Sequence, residues 1–153
     1  MNSGADEIRR IIETEGRYVS TSVGFSMKPM LRSRRDTVVI VPKTGRLKKY
    51  DVPLYAVGEK LILHRVVRVL PDGYNIRGDN CAFTERGISD SQILGVLSEF
   101  WRGEKKVRVT DTGYRIYSRI WVWSYPVRYI YKKSRSGLAA LVKKITEKGN
   151  RKK

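Results

Sequence analysis

The feature that most constrains the fold is a series of short β-rich segments, separated by turn residues, that occupies residues 17–101. The clearest is residues 37–41, a continuous apolar run that is typical of a buried strand. Between two others lie Pro71, Asp72 and Gly73, which predict the turn of a β-hairpin. The β-rich segments cover residues 17–23, 37–41, 52–57, 61–70, 74–77 and 93–101. Short strands with turns between them predict a mainly β fold, a small antiparallel sheet or barrel-like domain over residues 17–112.

Helical patterns flank this β domain on both sides. In residues 5–15, Ile8, Ile11 and Ile12 share one face and Gly16 stands where a helix would end, which predicts a short N-terminal helix over residues 1–16. A longer apolar stripe follows residue 112, and Pro126 predicts a kink or break in it. Its members are Ile116, Ile120, Trp123, Val127 and Ile130. A second short amphipathic helix is predicted over residues 138–145 and a basic tail over 148–153, so residues 113–153 form a helical C-terminal extension.

Positive charge is concentrated in the last third of the chain. The 153 residues carry a net charge of +17, and residues 101–153 contribute 16 basic and 3 acidic side chains. Such an excess indicates an anionic partner. Aromatic residues lie among these cations, a composition expected of a segment that binds an anionic membrane surface. They are Trp121, Trp123, Tyr125, Tyr129 and Tyr131. Three interpretations stay open for residues 114–153. Packing of the aromatic residues onto the β domain is favoured, a lipid surface comes second, and nucleic acid is the least favoured.

The composition also excludes several classes of protein. Cys81 is the single cysteine and His64 the single histidine, which excludes an intramolecular disulfide, a multi-cysteine zinc site and a histidine-rich metal centre. We therefore expect no cofactor. The first fifteen residues are acidic and short of apolar residues, and no segment reaches the ~18–20 apolar residues of a spanning helix, so neither a signal peptide nor a membrane anchor is expected. The expected location is the cytoplasm, and peripheral attachment to the cytoplasmic face of the membrane is compatible with it.

His64 lies at the centre of the apolar segment Leu-Ile-Leu-His-Arg-Val-Val. Burial there would lower the imidazole pKa and keep the ring a neutral base. A neutral imidazole needs an acceptor that orients it, and Asp79, just past the second strand of the predicted hairpin, is placed to serve. The alternatives are that His64 is a structural residue and that Asp79 caps a turn in its Gly-Asp-Asn sequence.

Ser26 is the third candidate. Gly24 and Pro29 confine the backbone around it, which is one way to expose a hydroxyl while its own N–H points at a bound carbonyl. The alternative is an ordinary loop serine.

Taken in order, the segments G-x-S-M-x-P, L-H-R-V-V and R-G-D-N resemble the signal peptidase I superfamily over about residues 18–100. They are most similar to the branch found in the endoplasmic reticulum, archaea and some spore-forming bacteria, which has histidine where the main bacterial branch has lysine. The resemblance implies a β peptidase domain with Ser26 as nucleophile, His64 as general base and Asp79 in support. Glu85 stands six residues beyond Asp79, where the branch often has a further aspartate, and is included as a site residue.

The resemblance implies a serine endopeptidase that cleaves a leader or precursor peptide by acyl transfer, after small residues such as Ala. Two features depart from the family. Gly24 stands where many members have a hydroxyl that stabilises the oxyanion, and the usual transmembrane anchor is not found. The alternative function is a basic nucleic-acid-binding or catalytically inactive interaction module on the same fold. LexA-like repressors of this superfamily bind DNA, but the 16 residues before the β domain are too few for a helix-turn-helix, and those repressors use lysine as base.

Overall fold

The computed structural model describes residues 3–131 and 133–134. Within them the chain is mainly β, with a helix before the strands and helices after them, as the sequence predicts. The elements are α1 (Ser3–Glu15), β1 (Tyr18–Thr21), β2 (Asp36–Val41), β3 (Pro53–Val57), β4 (Lys60–Leu63), β5 (Arg65–Leu70), β6 (Gly73–Arg77), β7 (Glu85–Ile88), β8 (Ile93–Arg102), β9 (Lys105–Arg108) and α2 (Thr112–Trp123). The helix predicted over 138–145 and the tail over 148–153 lie outside the described residues.

The strands form two antiparallel sheets. The larger one curls as a half-barrel, with strand order β1-β2-β8-β3-β4 and β9 paired with β8. The smaller one has the order β5-β6-β7. The long strand β8 organises the larger sheet, because it pairs with β3 near its start and with β2 and β9 toward its end. Its side chains Leu94, Leu97 and Phe100 are part of the hydrophobic core.

The predicted hairpin is present, since β5 and β6 pair with Leu70 opposite Gly73. The single strand expected over 61–70 is two strands, β4 and β5, which belong to different sheets. His64 is the residue between them, at the point where the chain passes from one sheet to the other. Strands β7 and β9 were not expected from the sequence, because Glu-Arg-Gly-Ile and Lys-Lys-Val-Arg lack the apolar runs that indicate strands.

Both flanking helices contribute to the hydrophobic core. On α1, Ala5, Ile8 and Ile12 are buried against the larger sheet, and Tyr114 of α2 joins the same cluster. The chain separates into two compact units, residues 1–122 and 123–153. In the second unit, residues 125–131 are helical. The helical pattern is interrupted at Ser124, immediately before the Tyr125–Pro126 step, as expected where proline removes a backbone donor.

Across residues 3–131 and 133–134, the helices are all too short or too polar to cross a bilayer.

Candidate active site

A cleft of about 550 Å³ is lined by residues of the larger sheet and of neighbouring loops. Ser26, His64 and Glu85 all line it, so the structure brings three of the four sequence-predicted site residues to one surface. They come from distant parts of the chain. Ser26 lies in the loop between β1 and β2, His64 lies at the crossover between the sheets, and Glu85 begins β7. The remaining candidate, Asp79, lies beyond β6 and is buried.

The loop that carries Ser26 is held by main-chain hydrogen bonds. The Ser26 carbonyl accepts a bond of 2.7 Å from the backbone N–H of Asn80, and the Asn80 side chain donates to the carbonyl of Phe25 at 3.2 Å. Gly24 has φ +94°, a conformation that favours glycine. Its N–H donates to Ser33 Oγ at 3.0 Å and is thereby engaged within the loop. The loop around Ser26 is therefore fixed to the segment that follows β6.

Gly78 allows the serine loop and the histidine ring to meet. A Cβ atom at this position would lie 2.8 Å from the Ser26 carbonyl oxygen and 2.9 Å from His64 Nε2. It would also lie 2.7 Å from Cys81 Sγ. Contacts below 3.0 Å exclude a side chain here. The missing side chain of Gly78 thus lets the Ser26 main chain and the Nε2 edge of the imidazole approach the same point.

Glu85 is the carboxylate that contacts the histidine. Its Oε1 lies 3.0 Å from His64 Nδ1, and the hydroxyl of Tyr55 lies 3.2 Å from the same nitrogen. A carboxylate can only accept, so this arrangement assigns the ring proton to Nδ1 and leaves Nε2 as a lone-pair acceptor on the side of Ser26. Tyr55 also hydrogen-bonds to Glu85. Glu85 therefore orients His64, and Tyr55 holds Glu85 in position.

Burial sets the protonation states of this group. Burial lowers the pKa of His64 below its ordinary value of 6.5, and the negative charge and hydrogen bond of Glu85 offset part of that shift. Burial and the same carboxylate raise the pKa of Tyr55, so Tyr55 stays a phenol and keeps its proton to donate. At neutral pH the imidazole of His64 is thus uncharged.

Asp79 is placed differently from the sequence expectation. Both of its carboxylate oxygens accept from the guanidinium of Arg65 at 2.8 Å, and Oδ2 also accepts from Tyr117 at 3.0 Å. An opposite charge held by two parallel hydrogen bonds determines the orientation of this carboxylate. Glu85, and not Asp79, consequently occupies the position beside Nδ1 that the sequence favoured for Asp79. Asp79 supports the site through the segment it fixes.

Helix α2 holds that segment from the other side. The indole N–H of Trp121 donates to the carbonyl of Asp79 at 2.8 Å, and the ring of Tyr117 stacks on Trp121 with centroids 5.5 Å apart. Tyr114 accepts from Arg65 at 3.2 Å. Three aromatic residues at the start of the C-terminal extension therefore pack onto the β domain beside the site, as the packing alternative expects for this part of α2.

Sequence reasoning missed two residues that the structure places at the site. Arg65 is a charged residue inside an apolar strand segment, a position that requires a buried partner, and this is the signal that could have identified it. Tyr55 lies in the apolar segment 52–57, where a single hydroxyl gives little indication of its partner. Its role depends on the pairing of β3 with β4, which sets it near His64.

In the described part of the chain, no three His, Cys, Asp or Glu side chains converge as a metal site would require. A scan of the sequence against protein-family models found no match. A search of curated proteins likewise found none. What the site can do must therefore be argued from its own geometry, which combines a hydroxyl, a neutral imidazole and an orienting carboxylate on one cleft.

Proposed function

We propose that the protein is a serine endopeptidase that cleaves a leader or precursor peptide by acyl transfer, with Ser26 as nucleophile and His64 as general base. The observation that carries this proposal is that Ser26, His64 and Glu85 line one cleft, with His64 Nε2 and the Ser26 main chain both against Gly78 and with His64 Nδ1 taken by Glu85. A nucleophile, a base and a group that orients the base are the parts that such chemistry requires.

The reaction proceeds in two halves. His64 Nε2 takes the proton of Ser26 Oγ while the oxygen attacks the peptide carbonyl, and the resulting imidazolium then protonates the leaving amine. Water, deprotonated by the same nitrogen, hydrolyses the acyl-enzyme and returns Ser26 to its starting form. Glu85 stabilises the imidazolium formed in each half, and Asp79 acts only through the loop that it supports. The Ser26 N–H is the proposed oxyanion donor, since the N–H of Gly24 is engaged by Ser33.

The test is cleavage of a mixed peptide library by the wild-type protein and by Ser26→Ala. Ser20→Ala is the matched control, because Ser20 is another serine that lines the same cleft. We expect Ser26→Ala to remove the cuts, a loss of about 10⁴–10⁶ in rate, while Ser20→Ala retains them. Cuts that persist in Ser26→Ala would refute the assignment of the nucleophile. Absence of any cut by the wild type would favour the inactive-module alternative.

The proposal includes a location at the cytoplasmic face of an anionic membrane. Helix α2 buries Tyr114 and Ser118 but exposes Ile116, Ile120 and Trp123 by 54%, 57% and 84%. Exposed apolar residues on one face mark an interaction surface. Arg115 and Arg119 are exposed on the same helix, and anionic lipids attract such cations. An apolar face suits a bilayer interface better than phosphate contacts with nucleic acid, which would use polar side chains.

Vesicle co-sedimentation tests this location. Full-length protein should bind anionic vesicles and not neutral ones, and the double variant Ile116→Ser/Ile120→Ser should bind the anionic vesicles less. Val69→Ser serves as control, since Val69 is an exposed apolar residue on β5. Equal binding to both kinds of vesicle, or binding that the double variant leaves unchanged, would contradict the lipid proposal. Salt-sensitive binding of nucleic acid in place of vesicles would support the alternative partner.

A further inference from the structure

We propose that the cleft beside Ser26 selects substrates with a large apolar side chain, such as Leu, Ile, Met or Phe, close to the scissile bond. This inference rests on the proposed peptidase function and differs from the preference for small residues that the family resemblance implies. It is carried by the size of the cleft, by the chemistry of its walls and by the two strands that border it.

The inner wall of the cleft is part of the hydrophobic core. Val38 and Ile40 of β2, Leu54 of β3, Met27 and Ile8 all line the cleft, and all are otherwise buried. Ile8 belongs to α1, so the N-terminal helix forms part of the wall of the cleft. These side chains present only carbon and sulfur atoms, apart from the main chain, to whatever enters. A substrate side chain that reaches this wall would meet an apolar surface continuous with the protein interior.

The mouth of the cleft carries large apolar side chains beside the hydroxyl groups of Ser20, Thr21 and Ser22. Val23, Leu61 and Phe83 line it while remaining exposed to solvent. Among the residues that line the cleft, the ionisable groups that can carry charge near neutral pH are His64 and Glu85, and they are paired with each other. The Glu85 carboxylate is already engaged by His64 and Tyr55, whereas an apolar substrate side chain would cover exposed carbon at the mouth and at the wall.

The borders of the cleft suit an extended peptide. In the described part of the larger sheet, β1, β4 and β9 are each paired on one side only, and β1 and β4 border the cleft. Residues of both strands line the cleft, and each strand leads directly into the segment that carries a site residue, Ser26 after β1 and His64 after β4. An extended peptide can pair with such an outer strand and direct alternate side chains to one face. The side chains on one face of such a peptide would contact the apolar wall of the cleft.

The volume of the cleft bears on how strongly leucine should be preferred over alanine. A space of about 550 Å³ falls in the range of pockets that enclose a sizeable ligand. Because this volume exceeds that of any single side chain, several side chains of an extended peptide would share the cleft. Alanine at those positions would contact less of the apolar wall than leucine and would forfeit dispersion contacts and area burial. A single methylene in an apolar pocket changes selectivity by about 10–200-fold. Replacement of leucine by alanine at the position that enters the cleft should therefore weaken binding by at least about 10-fold.

Binding and cleavage are measured separately. The binding probe is a pair of fluorescent Gly/Ser peptides of equal length and charge, one with leucine and the other with alanine at alternate positions. Each is titrated into the Ser26→Ala protein, into Ser26→Ala/Leu61→Ala, and into Ser26→Ala/Val69→Ala as control. Leu61 is part of the cleft mouth, whereas Val69 is an exposed apolar residue that does not line the cleft. In parallel, the wild type cleaves the mixed library and its cuts are sequenced.

We expect the leucine peptide to bind at least about 10-fold more tightly than the alanine peptide, with the difference reduced by Leu61→Ala and not by Val69→Ala. Equal affinity, tighter binding of the alanine peptide or binding of neither overturns the inference. Serine-dependent cuts flanked only by small residues also overturn it, while the peptidase function stands. Selective binding of the leucine peptide without serine-dependent cuts supports the cleft chemistry and refutes the peptidase function.

Discussion

His64 and Arg65 are consecutive residues, and each is paired with a carboxylate, but the two pairs lie in different environments. The His64 and Glu85 side chains are 7% and 21% exposed and border the cleft. The Arg65 and Asp79 side chains are 0% and 2% exposed, and their contacts include Tyr114 and Tyr117 of α2. The chain passes from one sheet to the other at His64, and the two adjacent side chains have different partners.

The difference shows that a basic side chain paired with a carboxylate can serve either the proposed chemistry or the stability of the fold. A guanidinium keeps its proton at any physiological pH, so Arg65 stays charged beside Asp79, and the pair fixes the loop that reaches Ser26 through Asn80. An imidazole titrates in the physiological range, so the pair of His64 with Glu85 can gain and lose a proton. Because the pair borders the cleft, a molecule bound there can supply or accept that proton.

The largest expected effect comes from removing the charge beside the imidazole. Glu85→Gln should lower the rate of cleavage by about 10²–10⁴, because a neutral amide neither stabilises the imidazolium nor fixes the proton on Nδ1. Its free energy of unfolding should change little, since Glu85 is partly exposed. Peptide cleavage and denaturant unfolding check both statements. Glu59→Gln, at an exposed turn, is the matched control. Full activity in Glu85→Gln would contradict the role given to this carboxylate.

The complementary change affects stability first. Asp79→Asn should lower the free energy of unfolding by about 3–5 kcal/mol, because it leaves the buried charge of Arg65 without a full counter-charge. Denaturant titration measures this loss, and Asp72→Asn in the exposed hairpin turn is the control. A variant with wild-type stability would show that the buried pair is not the structural support assigned to it.

A smaller effect is expected from the residue that holds Glu85. Tyr55→Phe removes a hydrogen bond to a charged group and should lower stability by about 1.5–3 kcal/mol. Tyr74→Phe is the matched control, since Tyr74 is a buried tyrosine that donates to Asp90 at 2.6 Å. Both variants should lose stability, but only Tyr55→Phe should change the pKa of His64 and the pH profile of cleavage. Identical pH profiles for both variants would show that Tyr55 contributes to packing and not to the pKa of His64.

The last prediction concerns a narrow pH window. Burial lowers the pKa of His64 in the folded protein below its ordinary value of 6.5. Between the two values the unfolded chain binds more protons, so the free energy of unfolding should fall as pH drops through this window. Unfolding titrations across the window should show this slope in the wild type and its loss in His64→Asn. Cleavage should also fall on the acid side of 6.5, because protonated His64 cannot act as base. The opposite slope would contradict the neutral buried imidazole.

The sequence was informative where side-chain chemistry and position coincide. Apolar runs predicted β2, β3 and β8, and Pro71, Asp72 and Gly73 predicted the hairpin, because burial and turn geometry are local properties. Local sequence does not determine whether Glu85 or Asp79 contacts the imidazole of His64. Glu85 reaches the histidine because β7 pairs with β6, which sets Glu85 opposite Ile76, and β7 has no apolar pattern of its own. Long-range pairing of a polar edge strand decided which carboxylate meets the imidazole.

The measurement that tests the central claim most directly is a pH titration of the histidine side chain by ¹H–¹⁵N NMR in the wild type, Glu85→Gln and Asp79→Asn. His64 is the only histidine in the chain, so its signals need no assignment among others and no substrate is required. We predict a neutral ring with the proton on Nδ1, a pKa below 6.5, and a further decrease in Glu85→Gln that exceeds any change in Asp79→Asn. A proton on Nε2, a pKa above 6.5, or a larger response to Asp79→Asn would contradict the assignment of His64 and Glu85 as the reactive pair.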